Sequence, residues 1–172
     1  QCQISGTTKD DAVGECCDNV AKVLGLPYPG GPAIAEAAKD GDPHKYKLPH
    51  PHVEGFDFSF SGLKTAVLRA VQKECNLPIS HPSYDLKNHL SQQHVADFAA
   101  SFQNTAVDIL LEKLSTALKE HPEVKSVVLA GGVAANALLR EKARKFTSFF
   151  PVLKFTGDNA TLVGIAAYYE IK

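Results

Sequence analysis

The sequence predicts an α/β fold, and three observations carry that prediction. A run of β-branched residues, Ser126–Ala130, ends in two glycines and passes into a helical pattern. A second short apolar run, Val152–Thr156, passes through Gly157 into another helical pattern. The first half is mostly helical, with a long irregular connector, and reads as an insertion laid against that α/β core. Taken together the chain reads as one lobe, 1–172, with the helical insertion at about 10–90.

The elements follow in order. Asp10–Leu26 reads as a helix, with Asp10 and Asp11 favouring its start and Gly25 its stop. Ala12, Cys16, Val20 and Val23 form its apolar stripe. A turn, Pro27–Pro32, leads to a short helix over about 33–39, and a Pro/Gly-rich polar connector follows. Phe56, Phe58 and Phe60 alternate with Asp57, Ser59 and Ser61, the period of a strand with one aromatic face. Helical spacing returns at Leu63–Cys75. After a loose segment, 76–88, the longest helix spans about 91–120, with Val95, Phe98, Phe102, Ala106, Ile109, Leu114 and Leu118 on its buried face. Strand 126–130, helix 134–146, strand 152–156 and a closing helix from Asn159 complete the chain.

Composition narrows the function classes. The 172 residues are 44% hydrophobic and 22% charged, ordinary for a globular protein. The formal net charge is −1, so any contact with nucleic acid must come from a local patch or from partner surfaces. No apolar run is long enough to span a bilayer, and the first residues lack the pattern of a signal peptide. A start at Gln1 reads as a sequence that begins mid-chain. Cys2, Cys16, Cys17 and Cys75 contain no CxxC pair and read as reduced thiols. The seven histidines form no HExxH; His50 and His52, set among prolines, read as solvated loop residues rather than ligands.

Four places could carry chemistry. Gly131 and Gly132 end a strand before a helix, where backbone can approach a ligand and free N–H groups face it. The same pattern also makes an ordinary tight turn. Asn136, in the first turns of that helix, could read a base or ribose edge. Asp158, at the next strand-to-helix junction, is either an N-cap or a carboxylate aimed at a metal. Asp18 lies on the first helix, where such a charge is usually solvated. The string Ser59–Thr65 looks like hydroxyls and backbone offered to a ligand, with Lys64 a surface or anion-contacting residue; it does not fit the GxSxG nucleophile pattern.

Five strings stand in one order: "GTTKDDAVGECCDNVAKVLGLPYPGGPAI", "DFSFSGLKTAV", "VADFAASFQNTAVDIL", "VVLAGGVAAN" and "TGDNA". In them the chain resembles the TsaD family, the tRNA N6-adenosine threonylcarbamoyltransferases once called O-sialoglycoprotein endopeptidases, in its bacterial and organellar branch. The resemblance implies an actin-like ATPase (ribonuclease H-like) fold with the front lobe missing here. It implies transfer of a threonylcarbamoyl group from threonylcarbamoyl-adenylate to N6 of the adenosine next to the anticodon in tRNA.

By motif, Asp18, Gly31 and Asn136 resemble the family's substrate-binding residues, and Asp158 its metal-ligating aspartate. The implied cofactor is one divalent metal, Fe(2+) or else Zn, with the adenylate substrate or ATP/ADP in the cleft. Implied partners are tRNA and TsaB-like and TsaE-like proteins, in the cytoplasm or the mitochondrial matrix. The family's HxxxH and SGGHT motifs do not occur in this sequence. Asp158 therefore lacks imidazole companions, and the 172-residue chain is expected to be inactive alone and to bind no stoichiometric transition metal. Two other readings compete: an actin-fold kinase or ATPase, which needs a phosphate loop not seen here, and a non-catalytic scaffold paralogue, which would have lost Asp18, Asn136 and Asp158.

Overall fold

A computed structural model describes residues 3–146, 149–157 and 160–170, with the side chains of 160–162 and 170 left aside. It resolves into two compact units, Gln1–Pro122 and Glu123–Lys172.

The first unit is helical. Helix α1 is Val13–Leu24, α2 Gly30–Ala37, α3 Ser61–Glu74 and α4 Gln92–Glu120. The sequence stripes explain the packing. Cys16 and Val20 of α1, Leu63, Val67 and Val71 of α3, and Phe98 and Phe102 of α4 are wholly buried in one core. Gly25 ends α1 in the left-handed conformation, φ 75°, as its position after the last apolar residue suggested. Ser91 caps α4 by accepting from His94 N–H at 3.1 Å.

The connector after α2 is tied to α4 rather than loose. A 3-10 turn, Ala38–Asp40, packs on α4, and Gly41 approaches so closely that a Cβ there would meet Ala96 O at 2.0 Å. Asp97, on α4, accepts from Asp42 N–H at 2.9 Å. Ser101 donates to Asp42 O at 3.1 Å and accepts from Tyr46 N–H at 3.2 Å.

The expected strand at 56–60 is reduced to one parallel bridge between Thr8 and Phe58. The cause is Asp10. Its carboxylate takes the amides of Phe60 at 2.8 Å and Ser61 at 3.3 Å, which draws the chain out of a ladder and into the start of α3. Asp10 therefore serves the N-terminus of α3, not that of α1, whose N-cap is Ala12 with no side-chain cap.

The second unit holds α5, Ala137–Ala143, and α6, Ala160–Glu170. The expected strand 126–130 contributes one parallel bridge, Val128 to Phe149. The expected strand 152–156 is instead a 3-10 turn, Leu153–Phe155, closed by Thr156 N–H to Leu153 O at 3.1 Å. A strand is stabilised by neighbours on both edges and a covered face. Here Val128, Phe149, Val152 and Leu153 remain 65, 59, 63 and 61% exposed, so neither condition is met. The bridge partner of Val128 is Phe149, which precedes the expected strand 152–156. Among the described residues the only β contacts are these two bridges, so the α/β expectation finds no strand to support it.

Candidate functional site

Asp18 and Gly31 both lie at the α1–α2 corner of the first unit. Asp18 is half-buried, and its Oδ1 accepts from Gly30 N–H at 2.7 Å. That amide opens α2, where a carboxylate also meets the positive end of the helix dipole. Gly30 is buried and obligate: an added Cβ would lie 2.6 Å from Asp18 Cα and 2.7 Å from Cys17 O. Gly31 is the opposite. It is half-exposed, and no atom lies within 4 Å of where its Cβ would stand. The two neighbouring glycines therefore do different work, Gly30 letting α1 and α2 close up and Gly31 leaving α2 backbone open to approach.

In the second unit Gly131 has φ 84° and begins a 3-10 turn, Gly132–Ala135. Both glycines are exposed. Asn136, half-buried, is the N-cap of α5 rather than a residue of its first turns, and its Oδ1 accepts from Leu139 N–H at 2.9 Å. Arg140 anchors this loop by donating from Nε to Ala134 O and from its guanidinium to Pro151 O at 2.7 Å. Asp158 lies outside the described residues. Asp18 and Gly31 thus belong to the first unit, and Asn136 with the Gly131–Gly132 loop to the second.

The Ser59–Thr65 string is where sequence and structure part most. Ser59 Oγ and Ser61 Oγ each donate to Asp10 Oδ2 at 2.6 Å, and Lys64 Nζ pairs with Asp11 Oδ2 at 2.6 Å. These hydroxyls serve a carboxylate of the same chain, not a ligand. Desolvation opposes ionisation of Asp10, but the hydrogen bonds from Ser59, Ser61 and two amides outweigh it and hold its pKa down at about 2. The signal available in the sequence was the Asp10–Asp11 pair, credited to the wrong helix. His50 pairs with Glu112 at 3.2 Å, and His52 is exposed, in keeping with loop histidines. Cys16, Cys17 and Cys75 are free thiols.

No helix among the described residues is long and apolar enough to cross a membrane.

The chain is 44% identical over 174 residues to the tRNA N6-adenosine threonylcarbamoyltransferase of Christiangramia forsetii, covering 98% of this chain and 48% of that protein. It is 43% identical to the one of Porphyromonas gingivalis, with the same coverage, and 48% identical over 170 residues to the one of Gloeobacter violaceus, covering 95% of this chain and 45% of that protein. The chain therefore spans about half the length of the curated relatives it matches. The family model described as "TsaD: tRNA N6-adenosine threonylcarbamoyltransferase" matches residues 1–165, and on that match the chain belongs to the TsaD family.

Proposed function

We propose that this chain is the part of a threonylcarbamoyltransferase that holds the adenylate end of its substrate. The observation that carries this reading is the family match over residues 1–165, which includes Asp18, Gly31, Asn136 and Asp158 in one sequence. The reaction is transfer of threonylcarbamoyl from threonylcarbamoyl-adenylate to N6 of the adenosine next to the anticodon in tRNA. The complete protein has an actin-like fold and works in the cytoplasm, or in the mitochondrial matrix for an organellar form. It works with tRNA and with TsaB-like and TsaE-like partners.

The geometry supports roles for Asp18, Gly31 and Asn136. Gly31 offers unobstructed backbone at the start of α2, and the Gly131–Gly132 loop offers exposed backbone before α5. Asp18 uses Oδ1 on Gly30, which fixes its carboxylate and leaves Oδ2 to meet a ribose hydroxyl or an amine. Asn136 is held by its cap bond, so its amide is oriented before ligand arrives. Such preset groups contribute to catalysis through positioning and electrostatics.

A divalent metal is implied by the family, Fe(2+) or Zn. At Asp158 the chain contributes a single carboxylate, and a transition metal requires three or four protein donors. Asp158 alone does not fit that ion.

The test is calorimetric titration of ADP into the complete protein that contains this chain. Asn136→Ala is expected to weaken binding about fivefold or more, since losing a polar partner of a buried ligand costs about 1–3 kcal/mol. Unchanged affinity would remove Asn136 from the site.

A further inference from the structure

The segment 76–91 between α3 and α4 gathers three donor side chains. His81 Nε2 lies 2.8 Å and His89 Nε2 3.1 Å from the same oxygen, Asp85 Oδ2. The two imidazoles stand edge to face at 5.2 Å, and the three donor atoms all lie within 4.8 Å of one another. We propose that His81, Asp85 and His89 bind one divalent transition ion of the zinc type, which clips the α3–α4 connection.

The donor set selects the ion class. Two imidazoles and one carboxylate suit zinc and its neighbours in the first transition row, whereas magnesium and calcium favour all-oxygen sites. Bonds of about 2.0–2.2 Å in a tetrahedral site put neighbouring donors roughly 3.3–3.5 Å apart. The observed separations of the two imidazoles from Asp85 Oδ2, 2.8 and 3.1 Å, need to open by only about half an ångström to reach this. Three protein donors leave the fourth position to water.

The surrounding structure is already built to hold these donors. Asn88 Nδ2 donates to Asp85 Oδ1 at 2.7 Å, which turns the other carboxylate oxygen toward the imidazoles, as an outer-shell partner does. Gln72, 2% exposed, donates to the carbonyls of Ile79 at 3.1 Å and His81 at 3.2 Å, and Arg69 donates to Ile79 O at 3.0 Å. Leu86, wholly buried, pins the turn between Asp85 and His89 to the core. The backbone is closed by His81 N–H to Pro78 O, Asp85 N–H to Pro82 O and Asn88 N–H to Asp85 O. Four-residue steps through these turns, 81, 85 and 89, bring the donors to one side. These donors do not include Asp158, and the proposal runs against the expectation that the 172-residue chain binds no stoichiometric transition metal.

The experiment is calorimetric titration of Zn²⁺ into the full chain carrying Asp158→Ala, which removes the other metal-ligating candidate. One equivalent is expected to bind, and the unfolding temperature is expected to rise with added zinc. Adding His81→Ala or His89→Ala should weaken binding at least about tenfold and cancel the thermal shift. His44→Ala, outside the cluster, should change neither. If His81→Ala fails to fold, His89→Ala decides, because that side chain is 39% exposed. Cobalt added to the parent should give the visible absorption of a four-coordinate site, and this should be lost in His89→Ala. Absence of zinc binding in the parent, or undiminished binding in His89→Ala, overturns the proposal and leaves a hydrogen-bonded His–Asp–His cluster.

Discussion

Gly30 donates its amide to Asp18 Oδ1 at 2.7 Å, from a position where any Cβ would stand 2.6 Å from Asp18 Cα. One residue of the proposed substrate site is therefore also the fastening between α1 and α2. Asp18→Ala should strand the buried Gly30 amide and cost about 1–3 kcal/mol in urea unfolding. Asp18→Asn keeps an acceptor oxygen and should cost less. A substrate role for the carboxylate would show as lost ADP affinity in Asp18→Asn with stability largely retained. Gly30→Ala should destabilise by at least about 1–3 kcal/mol, since backbone atoms of α1 cannot yield as a flexible side chain would.

Acid should loosen the start of α3. The folded pKa of Asp10 is lowered from 3.8 to about 2, despite desolvation, by hydrogen bonds from Ser59, Ser61 and the amides of Phe60 and Ser61. A depressed carboxylate contributes stability that is fully present above its unfolded pKa and is lost as pH falls through the folded one. The contribution should therefore fade between about pH 4 and pH 2. Unfolding of wild type and Asp10→Asn across that window checks it, with the difference between them shrinking as pH falls. A difference that stays constant would mean the Asp10 charge contributes nothing.

Burial pushes the Cys16 thiol up to about 12 and the Cys17 thiol to about 11. The thiolate is the reactive form, so alkylation near neutral pH should leave both almost unmodified in the folded protein. Peptide mass analysis after iodoacetamide, with and without urea, reads this directly. Rapid native labelling of Cys16, which has no exposed surface, would contradict the packing of α1 against α3.

The connector after α2 should depend on Asp97. Its Oδ1 accepts from Asp42 N–H and from Gln93 Nε2, both at 2.9 Å. Asp97→Ala should cost about 1–3 kcal/mol and open residues 41–46 to protease. Unchanged cleavage would mean that Gly41 and Ser101 hold the connector unaided.

How much of this was legible in sequence depended on whether the determinant was local. The stripes of α1 and α4 repeat every three or four residues, and Cys16, Val20, Val23, Phe98, Phe102, Ala106 and Ile109 are buried as expected, whereas Ala12 is exposed and Val95, Leu114 and Leu118 are only half-buried. The strands failed because a strand is a relation between segments. Val127 and Val128 have strand composition, yet Val128 finds a single partner in Phe149 and stays exposed. Asn136 was readable as a residue at a strand–helix turn, but not its bond to Leu139. Asp10 was seen and assigned to α1, because nothing local says that a carboxylate will cross to residues 59–61. The His81–Asp85–His89 cluster was missed for a related reason. Its segment has no hydrophobic period, and the four-residue spacing was the one available signal.

The most direct measurement is the threonylcarbamoyladenosine content of tRNA incubated with the complete protein, its partners and threonylcarbamoyl-adenylate, read by mass spectrometry of the digested nucleosides. Wild type is expected to form the modified nucleoside. Asp158→Ala is expected to form almost none while unfolding at an unchanged temperature. If Asp158 were only a helix cap, its loss would instead lower stability by about 1 kcal/mol and spare transfer. Modification at the wild-type level by Asp158→Ala, Asn136→Ala and Asp18→Asn alike would contradict the proposal that this chain carries the substrate site.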